Sequence, residues 1–579
     1  MNMRESVLNV WRRLPVLTLL LLTTFTLALA ERRERAVEAW RPIHFDVSLK
    51  FDDQLTEVIQ AETKISIQVI KAPLTVIDLD FGQMTVDSVK VSDAPARFEH
   101  ANGQLKVQLP QAVNKNGVLT IAVSYHGRPR DGLILMKDKA GKPSATGDNW
   151  PDRVHHWIPS LDHPSAKATI NFTVTAPARD IVVANGQLIA TRNNADQTRT
   201  WTYREARPIS PYCMIIAVGE YAQSEPQPNT LPPLFYYVPQ TDRDSAIRGF
   251  SAAPPAMQFF SERVAPFPYE KLALIVGATR FGGMENSSAI VFSSSLFSTP
   301  VDAQPLSPRF NLRRGLVEVT AHELAHQWFG DAVSIKTWSD LWLSEGFADY
   351  FAGLFIERYE GKDAFREYMR LAAEKYFNYE RGRRTPIYDT ETEDLFKLLN
   401  PTNYEKGAWV LHMLRGMLGD ATFFKGIRAF YLKHEHKTAS TEDLRAALER
   451  VSSVDLKEFF SRWVYESGHP RYEASWSWSK LERGRARLTI HLRQTQQDAP
   501  FLMPLPVEII TERGAQRMTL KPTGRETTIR IPLASRPTDV RIDPDGLILQ
   551  ESVVRQAAAQ SASLSYLLPG FQKLPILRH

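Results

Sequence analysis

The sequence predicts a multidomain α+β protein, in which strands come first, helices follow and a second, smaller group of strands comes last. Polar and apolar residues alternate from about residue 43 to 223, which indicates strands. Apolar residues recur at helical spacing from about 311 to 468, and they alternate again from 470 to about 549. Apolar residues make up 43% and charged residues 23% of the 579 residues, which is typical of a globular protein of about three or four domains.

The first thirty residues have the layout of a signal peptide. Arg4, Arg12 and Arg13 precede the apolar run 14–30, which ends in an Ala-x-Ala cleavage pattern. We expect cleavage after Ala30, so that the mature chain is exported to the periplasm or secreted and keeps no stable membrane span. An uncleaved anchor is the alternative, although seventeen apolar residues are short for a transmembrane helix.

The N-terminal strands are predicted to form one β domain over residues 31–225. Residues 44–51 alternate polar and apolar side chains, the period of a half-buried strand. The Asn-Gly pairs at 102–103 and 185–186 each divide two strand-like runs and predict hairpin turns. The segment 226–233 contains four prolines and predicts a linker to the next domain.

The middle domain is predicted to span residues 226–469. It begins with a helix over 253–263 and a strand over 272–276, which leads to the pair Gly282-Gly283. Two adjacent glycines let another backbone approach closely, so this segment suits an edge strand that pairs with an extended peptide.

The chain is predicted to end with a small β-sandwich over 470–550 and a tail, 551–579, to which we assign no structure. The formal net charge is +5, and no block of lysine and arginine or basic helix indicates a nucleic-acid partner. Cys213, the single cysteine, lies in an apolar run and is predicted to be a buried core residue, so the chain has no internal disulfide.

The sequence His322-Glu323-Leu324-Ala325-His326 is the H-E-x-x-H pattern of a zinc helix. Side chains at i and i+4 lie on one face of a helix, so both imidazoles can bind one metal ion, while Glu323 faces the same cavity and can act as the base. The alternative is an ordinary helix whose two histidines are solvated.

A catalytic zinc site usually has three protein ligands, so a third must be found. A metzincin pattern would require glycine at position 329 and histidine at 332, where the chain has Phe329 and Ala332. The gluzincin pattern takes a carboxylate from a following helix, and Glu345 comes after eighteen intervening residues. Glu345 is therefore the predicted third ligand. Asp349, one helical turn later, is predicted to accept a hydrogen bond from a ligand histidine and fix its orientation.

The segments HELAHQWFGD and WLSEGFADY resemble the M1 family of gluzincin aminopeptidases. Two further segments support the resemblance. Residues 281–286, FGGMEN, resemble the family's G-x-M-E-N exopeptidase motif, and residues 403–407, NYEKG, resemble the segment that carries its catalytic tyrosine. The resemblance covers roughly residues 43–550, without the large α-helical C-terminal domain of longer family members.

The resemblance implies a saddle-like N-terminal β domain, a mostly helical thermolysin-like catalytic domain and one Zn²⁺ per chain. It implies that Tyr404 stabilises the oxyanion, while Glu323 acts as general base. It also implies that the substrate is bound by Gly282, Gly283, Met284, Glu285 and Asn286, of which Glu285 pairs with the α-amine.

The chain departs from the family in residues 147–152, GDNWPD, where the family commonly has a Gln or Glu that helps to hold the substrate's N-terminus. Asp148 or Asp152 could substitute, and the sequence leaves open how this segment holds the amine and the first side chain.

The predicted function is a zinc-dependent aminopeptidase acting on peptides with a free N-terminus. Two alternatives are another hydrolase activity on the same scaffold, such as epoxide hydrolysis, and a non-catalytic peptide-binding protein.

Overall fold

The computed structural model describes residues 34–35, 38–227, 230–298 and 306–557. The predicted signal peptide and the tail beyond residue 557 lie outside the described residues, as does the second proline of the predicted linker. In these four ranges, no helix is both long enough and apolar enough to cross a membrane. The predicted order of a β-rich region, a helical region and a final group of strands is confirmed.

The N-terminal region consists of three sheets. In spatial order, the strands of the largest sheet are Gln187–Asn193, Thr198–Ile209, Ala168–Pro177, Trp40–Phe51, Val58–Val69, Val118–Gly127, Thr85–Val91 and Ala94–Pro95. The second sheet contains Ile181–Ala184, Ile216–Gly219, Pro143–Gly147 and Leu133–Lys137, and the third contains Leu74–Asp80, Gln104–Val113 and Phe98–Ala101. Along Ala168–Pro177 alternate residues are buried in the core, as the period of two predicts.

One of the two predicted hairpin turns is confirmed and the other is wrong. Asn102 and Gly103, with φ of 52° and 76°, join Phe98–Ala101 to Gln104–Val113. The pair at 185–186 instead joins strands that belong to two different sheets.

The physical reason is that Asn185 bonds to distant segments of the chain. Its fully buried Nδ2 donates to the carbonyls of Cys213, at 2.9 Å, and Ser287, at 2.6 Å, and its Oδ1 accepts from the amide of Ile215. The crossing between the two sheets is held in place by these bonds.

The helical region begins with a mixed sheet whose strands, in spatial order, are Tyr221–Gln223, Leu234–Pro239, Leu272–Gly277, Ala289–Ser293 and Gly283–Met284. Gly283–Met284 is therefore an edge strand, as predicted. The first two strands pair antiparallel, from Tyr221 opposite Pro239 to Gln223 opposite Tyr237. The proline-containing segment 226–233 thus connects two adjacent strands of one sheet.

The α-helices of the described residues are α1 (Arg243–Gly249), α2 (Ala253–Arg263), α3 (Ser295–Ser298), α4 (Arg314–His326), α5 (Trp342–Glu360), α6 (Lys362–Gly382), α7 (Gly407–Leu418), α8 (Asp420–His434), α9 (Thr441–Ser452) and α10 (Lys457–Trp463). Val317, Ala321 and Leu324 form the buried face of α4 at helical spacing. Residues 342–348 and 350–356 of α5 are buried, and the helix packs against α4, α6 and α7. Val333–Ile335 and Lys437–Ala439 add a short parallel pair.

The last region contains two sheets. In spatial order, one has the strands Glu526–Leu533, Ala486–Gln494, Arg471–Lys480 and Glu551–Gln556, and the other has Gly514–Leu520, Leu505–Thr511 and Pro537–Ile542. Glu551–Gln556 pairs parallel with Arg471–Lys480. This region therefore continues past residue 550, the end of the β-sandwich that the sequence predicts. That strand is mostly exposed at the sheet edge, which is why it lacks a clear apolar alternation.

Candidate metal centre and peptide-binding cavity

α4 and α5 bring the three predicted metal ligands together. The Nε2 atoms of His322 and His326 lie 2.9 Å apart, and each lies close to Oε2 of Glu345, at 3.4 Å and 3.3 Å. Ligand atoms bound tetrahedrally at about 2.0–2.1 Å from zinc are separated by about 3.3 Å from one another. The two separations from Glu345 match that arrangement, and the two Nε2 atoms lie somewhat closer together.

The outer nitrogen of each histidine fixes its orientation. Nδ1 of His322 donates to Oδ1 of Asp349 at 2.8 Å, as the sequence predicts, and Nδ1 of His326 donates to the carbonyl of Phe329 at 3.1 Å. Because Nδ1 of each ring is used as a donor, Nε2 is the atom left to bind a metal ion, and both Nε2 atoms face each other and the carboxylate of Glu345. Two imidazole nitrogens and one carboxylate oxygen form a usual zinc donor set, so the three residues fit a divalent metal ion.

Glu323 lies against the edge strand Gly283–Met284. A Cβ atom added to Gly283 would lie 2.4 Å from both Cδ and Oε1 of Glu323, so any larger residue would displace the Glu323 side chain or the strand. Burial raises the pKa of Glu323, and its Oε2 has no hydrogen-bond partner among the described residues. Within the part of the chain that the structure describes, Oε2 of Glu323 is thus left available to accept a proton, as a general base requires.

Glu285 follows the edge strand and is 6% exposed. Its Oε1 is buried and lacks a hydrogen-bond partner in the part of the chain that the structure describes. Burial raises the pKa of Glu285 to about 8, and the charges of Glu345 and Glu323 add to the rise, while His326 opposes it. A cationic ligand group is the partner that this environment lacks.

Tyr404 lies in a π-helical turn, Thr402–Lys406, a local geometry that often occurs at functional sites. Its ring is parallel to that of His322, with centroids 5.9 Å apart. Burial raises the pKa of Tyr404 well above its usual value, so the phenol keeps its proton and can donate a hydrogen bond.

A contact between two glycines sets the position of this turn relative to α5. A Cβ atom added to Gly346 would lie 2.8 Å from the Cα of Gly407, because the two backbones touch there. Gly346 follows the ligand Glu345, and Gly407 begins the helix after Tyr404. The close approach therefore brings the tyrosine to the metal ligands.

These residues line one cavity of about 610 Å³. It includes the three ligands, Glu323, Asp349, Tyr404, Gly282, Gly283, Met284 and Glu285. Asn286 is not part of the wall: it is fully buried, and its Nδ2 donates to the carbonyl of Met284 at 3.3 Å. Asn286 therefore supports the strand end beneath the cavity.

Neither predicted substitute for the missing Gln or Glu faces this cavity. Asp148 is fully buried and pairs with Arg153 at 3.0 Å. Burial raises the pKa of Asp152 to about 7, and the charge of Asp162 adds to the rise. Neither aspartate is among the residues that line the cavity, and Asp148 also accepts a hydrogen bond from Oγ1 of Thr279 at 3.2 Å.

Trp150, which lies between these aspartates in the sequence, lines the cavity instead. Its ring packs edge-on against Phe281, with centroids 6.0 Å apart, and against Trp338 at 5.7 Å. Sequence reasoning missed this residue, although the departure of segment 147–152 from the family pattern was the available signal.

The candidate ligand set, two histidines of one helix and a glutamate of the next, matches the gluzincin pattern. The family model described as the peptidase family M1 domain matches residues 249–463, and the model of the peptidase M1 N-terminal domain matches residues 41–213. The chain belongs to peptidase family M1.

Several relatives are named aminopeptidases. A probable aminopeptidase 2 of Sulfurisphaera tokodaii is 26% identical over 441 residues, which cover 74% of this chain and 54% of the relative. The tricorn protease-interacting factor F2 of Thermoplasma acidophilum is 24% identical over 454 residues, 77% of this chain and 56% of the relative. Human glutamyl aminopeptidase is 29% identical over 332 residues, 56% of this chain and 34% of the relative. The chain thus spans about half the length of the first two relatives.

Proposed function

We propose that this chain is a zinc-dependent aminopeptidase that removes residues from the N-terminus of peptides. The observation that carries the proposal is the position of Glu285, whose buried Oε1 lacks a hydrogen-bond partner among the described residues. Carboxylate oxygens of Glu285 and Glu323 and a ring nitrogen of His326 all lie within 4.8 Å of one another. An α-ammonium group at Glu285 would place the first peptide bond beside the metal ligands.

His322, His326 and Glu345 would hold one zinc ion per chain. When bound, zinc supplies Lewis-acid polarisation of the scissile carbonyl and lowers the pKa of a bound water. Glu323 accepts a proton from the attacking water and delivers it to the leaving amine. Tyr404 donates a hydrogen bond to the developing oxyanion, a contact that is stronger in the transition state than in the ground state.

The edge strand Gly283–Met284 orients the substrate. Its partner within the sheet is Ala289–Ser293, and its other edge borders the cavity, where an extended peptide can add as a further strand. The relatives' names support an activity on peptides. The presence of the base, the ligand set and the tyrosine supports catalysis over peptide binding alone.

The experiment is hydrolysis of aminoacyl-amide substrates by the purified full-length chain, with and without a chelator. We expect activity that is lost with the chelator and restored by zinc, together with one zinc per chain by elemental analysis. Active protein without stoichiometric zinc would contradict the assignment of the three ligands.

We also propose that the chain is exported, on the strength of the arginines and the apolar run in its first thirty residues. The mass of the protein recovered from outside the cytoplasm tests this. We expect a mature chain that begins at position 31. A chain that keeps residues 1–30 would favour the uncleaved anchor.

A further inference from the structure

Gln327 follows the metal ligand His326 directly and has no role in the reaction described above. It is fully buried, and every hydrogen of its side-chain amide is used. Nε2 donates to the carbonyl of Glu285 at 2.9 Å and to Oδ2 of Asp331 at 2.8 Å, while Oε1 accepts from the amide of Ser288 at 2.8 Å. Three bonds of normal length leave this side chain one orientation.

Two of these partners lie in the reversal 285–288, which connects the edge strand Gly283–Met284 to Ala289–Ser293. Ser288 has a φ of 62°, and the amide of Ala289 donates to the carbonyl of Asn286 at 3.0 Å. The carbonyl of Glu285 and the amide of Ser288 lie beyond the end of the strand pairing. The carboxamide of Gln327 supplies the hydrogen-bond partner of both backbone groups, as a neighbouring strand would do.

Asp331, the third hydrogen-bond partner of Gln327, is also held in place. Asp331, which accepts from Gln327, also accepts from Sγ of Cys213 at 3.2 Å, and its backbone amide donates to the carbonyl of His326 at 3.0 Å. Gln327 is thus attached covalently to one metal ligand and by hydrogen bond to the residue that carries the amine-binding carboxylate.

We propose that Gln327 is a positioning residue that sets the distance between the Glu285 carboxylate and the metal centre, and so makes the enzyme count one residue from the amine. The proposal rests on the proposed aminopeptidase function. Without the carboxamide, the carbonyl of Glu285 and the amide of Ser288 lose their partner, and the reversal can shift relative to α4. Free and blocked N-termini are then distinguished less well, although the metal ligands are intact.

The test compares Gln327→Met with Gln494→Met, both in the full-length zinc-loaded protein. Gln494 is a matched control because it is 1% exposed and its carboxamide also bridges a backbone carbonyl and a backbone amide, those of Phe501, at 2.9 Å and 2.8 Å. It lies on the strand Ala486–Gln494, outside the cavity wall. The substrates are leucyl-alanyl-alanine amide and its N-acetyl form, with zinc content, melting temperature, kcat, KM and product masses as readouts.

We expect Gln327→Met to keep one zinc and to raise KM for the free peptide more than it lowers kcat. The preference, which is the ratio of kcat/KM for the free peptide to that for the acetylated peptide, should fall at least about tenfold, because one lost hydrogen bond has an effect of that size. Products cleaved after the second residue should appear. Gln494→Met should lose a similar amount of thermal stability with the preference unchanged. An unchanged preference in fully zinc-loaded Gln327→Met, or an equal loss in Gln494→Met, would overturn the proposal.

If Gln327→Met does not fold, Gln327→Glu is the second variant. It has the same size and keeps the acceptor for Ser288, but it replaces the donor to the Glu285 carbonyl with an oxygen atom. We expect the same loss of preference, and a preference equal to that of the unsubstituted protein would overturn the proposal. An unsubstituted protein that does not distinguish the two peptides would instead contradict the aminopeptidase function itself.

Discussion

A methyl group at Gly283 should displace the catalytic base without removing the metal. The Cβ of Gly283→Ala would lie 2.4 Å from Cδ and Oε1 of Glu323, whereas carbon atoms in ordinary contact are about 3.5–4.0 Å apart. The carboxylate or the edge strand must therefore move by about 1 Å. The three atoms nearest to the added Cβ all belong to Glu323, so His322 and the other ligands are not pushed directly.

The size of the effect follows from the role of Glu323. A misplacement of about 1 Å in a catalytic group can lower the rate about a hundredfold, and general-base catalysis contributes about a hundredfold to ten-thousandfold in total. We therefore expect kcat of Gly283→Ala to fall about a hundredfold while zinc content stays at one per chain.

Gly282→Ala is the neighbouring comparison. A Cβ atom there meets nothing within 4 Å among the described residues, so the same change in backbone freedom occurs without a collision. The assay measures kcat, KM, zinc content and melting temperature for both variants with one aminoacyl-amide substrate. If kcat of Gly283→Ala equals that of Gly282→Ala at full zinc content, the proposed contact between the edge strand and the base is wrong.

Three further substitutions test individual roles. Glu323→Gln should keep zinc and lose turnover by about a hundredfold or more, because the base is absent; a variant without metal would show that Glu323 is a ligand. Tyr404→Phe should lower kcat by about a hundredfold to a thousandfold, because one donor to the oxyanion is lost. An unchanged kcat would show that the Tyr404 side chain contributes to packing and not to catalysis. Trp150→Ala should lower kcat/KM about tenfold more for leucyl than for alanyl substrates, because the wall formed with Phe281 is removed; equal losses would exclude contact with the first side chain.

Much of the candidate metal centre could be predicted from the sequence because its geometry is local. His322, Glu323 and His326 share one turn of one helix, and Asp349 follows Glu345 by one turn of another, so the periodicity of a helix fixes their relative directions. The pairing of Asp349 with His322 confirms the predicted hydrogen bond.

The contacts that join distant segments could not be predicted from the same patterns. Asn185 has the local pattern of a hairpin turn, but its buried amide holds the reversal that follows Glu285, more than a hundred residues later. The contact between Gly346 and Gly407 depends on how two helices cross. Such features arise from tertiary packing, on which the spacing of residues along the chain carries no information.

Trp150 shows a second reason why the cavity wall could not be predicted from the sequence. The sequence shows that the segment 147–152 lacks the acid or amide of the family pattern, but it does not show which side chain takes its place. By its charge, Asp148 is a reasonable candidate for binding the substrate amine, but its carboxylate is already paired with the buried guanidinium of Arg153. The competition between partners for a buried charge is decided by the fold.

The aminopeptidase proposal depends most on the pairing of Glu285 with a free α-amine, and kcat/KM for one peptide with a free and with an acetylated N-terminus measures it directly. A hydrogen bond between a buried carboxylate and an α-ammonium group contributes roughly 1.5–3 kcal/mol, so we expect the unsubstituted protein to prefer the free peptide by about tenfold to a hundredfold. Glu285→Ala should lower kcat/KM for the free peptide and reduce the ratio between the two peptides, because neither peptide then has the carboxylate partner. Equal values for the two peptides with the unsubstituted protein would contradict an enzyme that counts from the N-terminus.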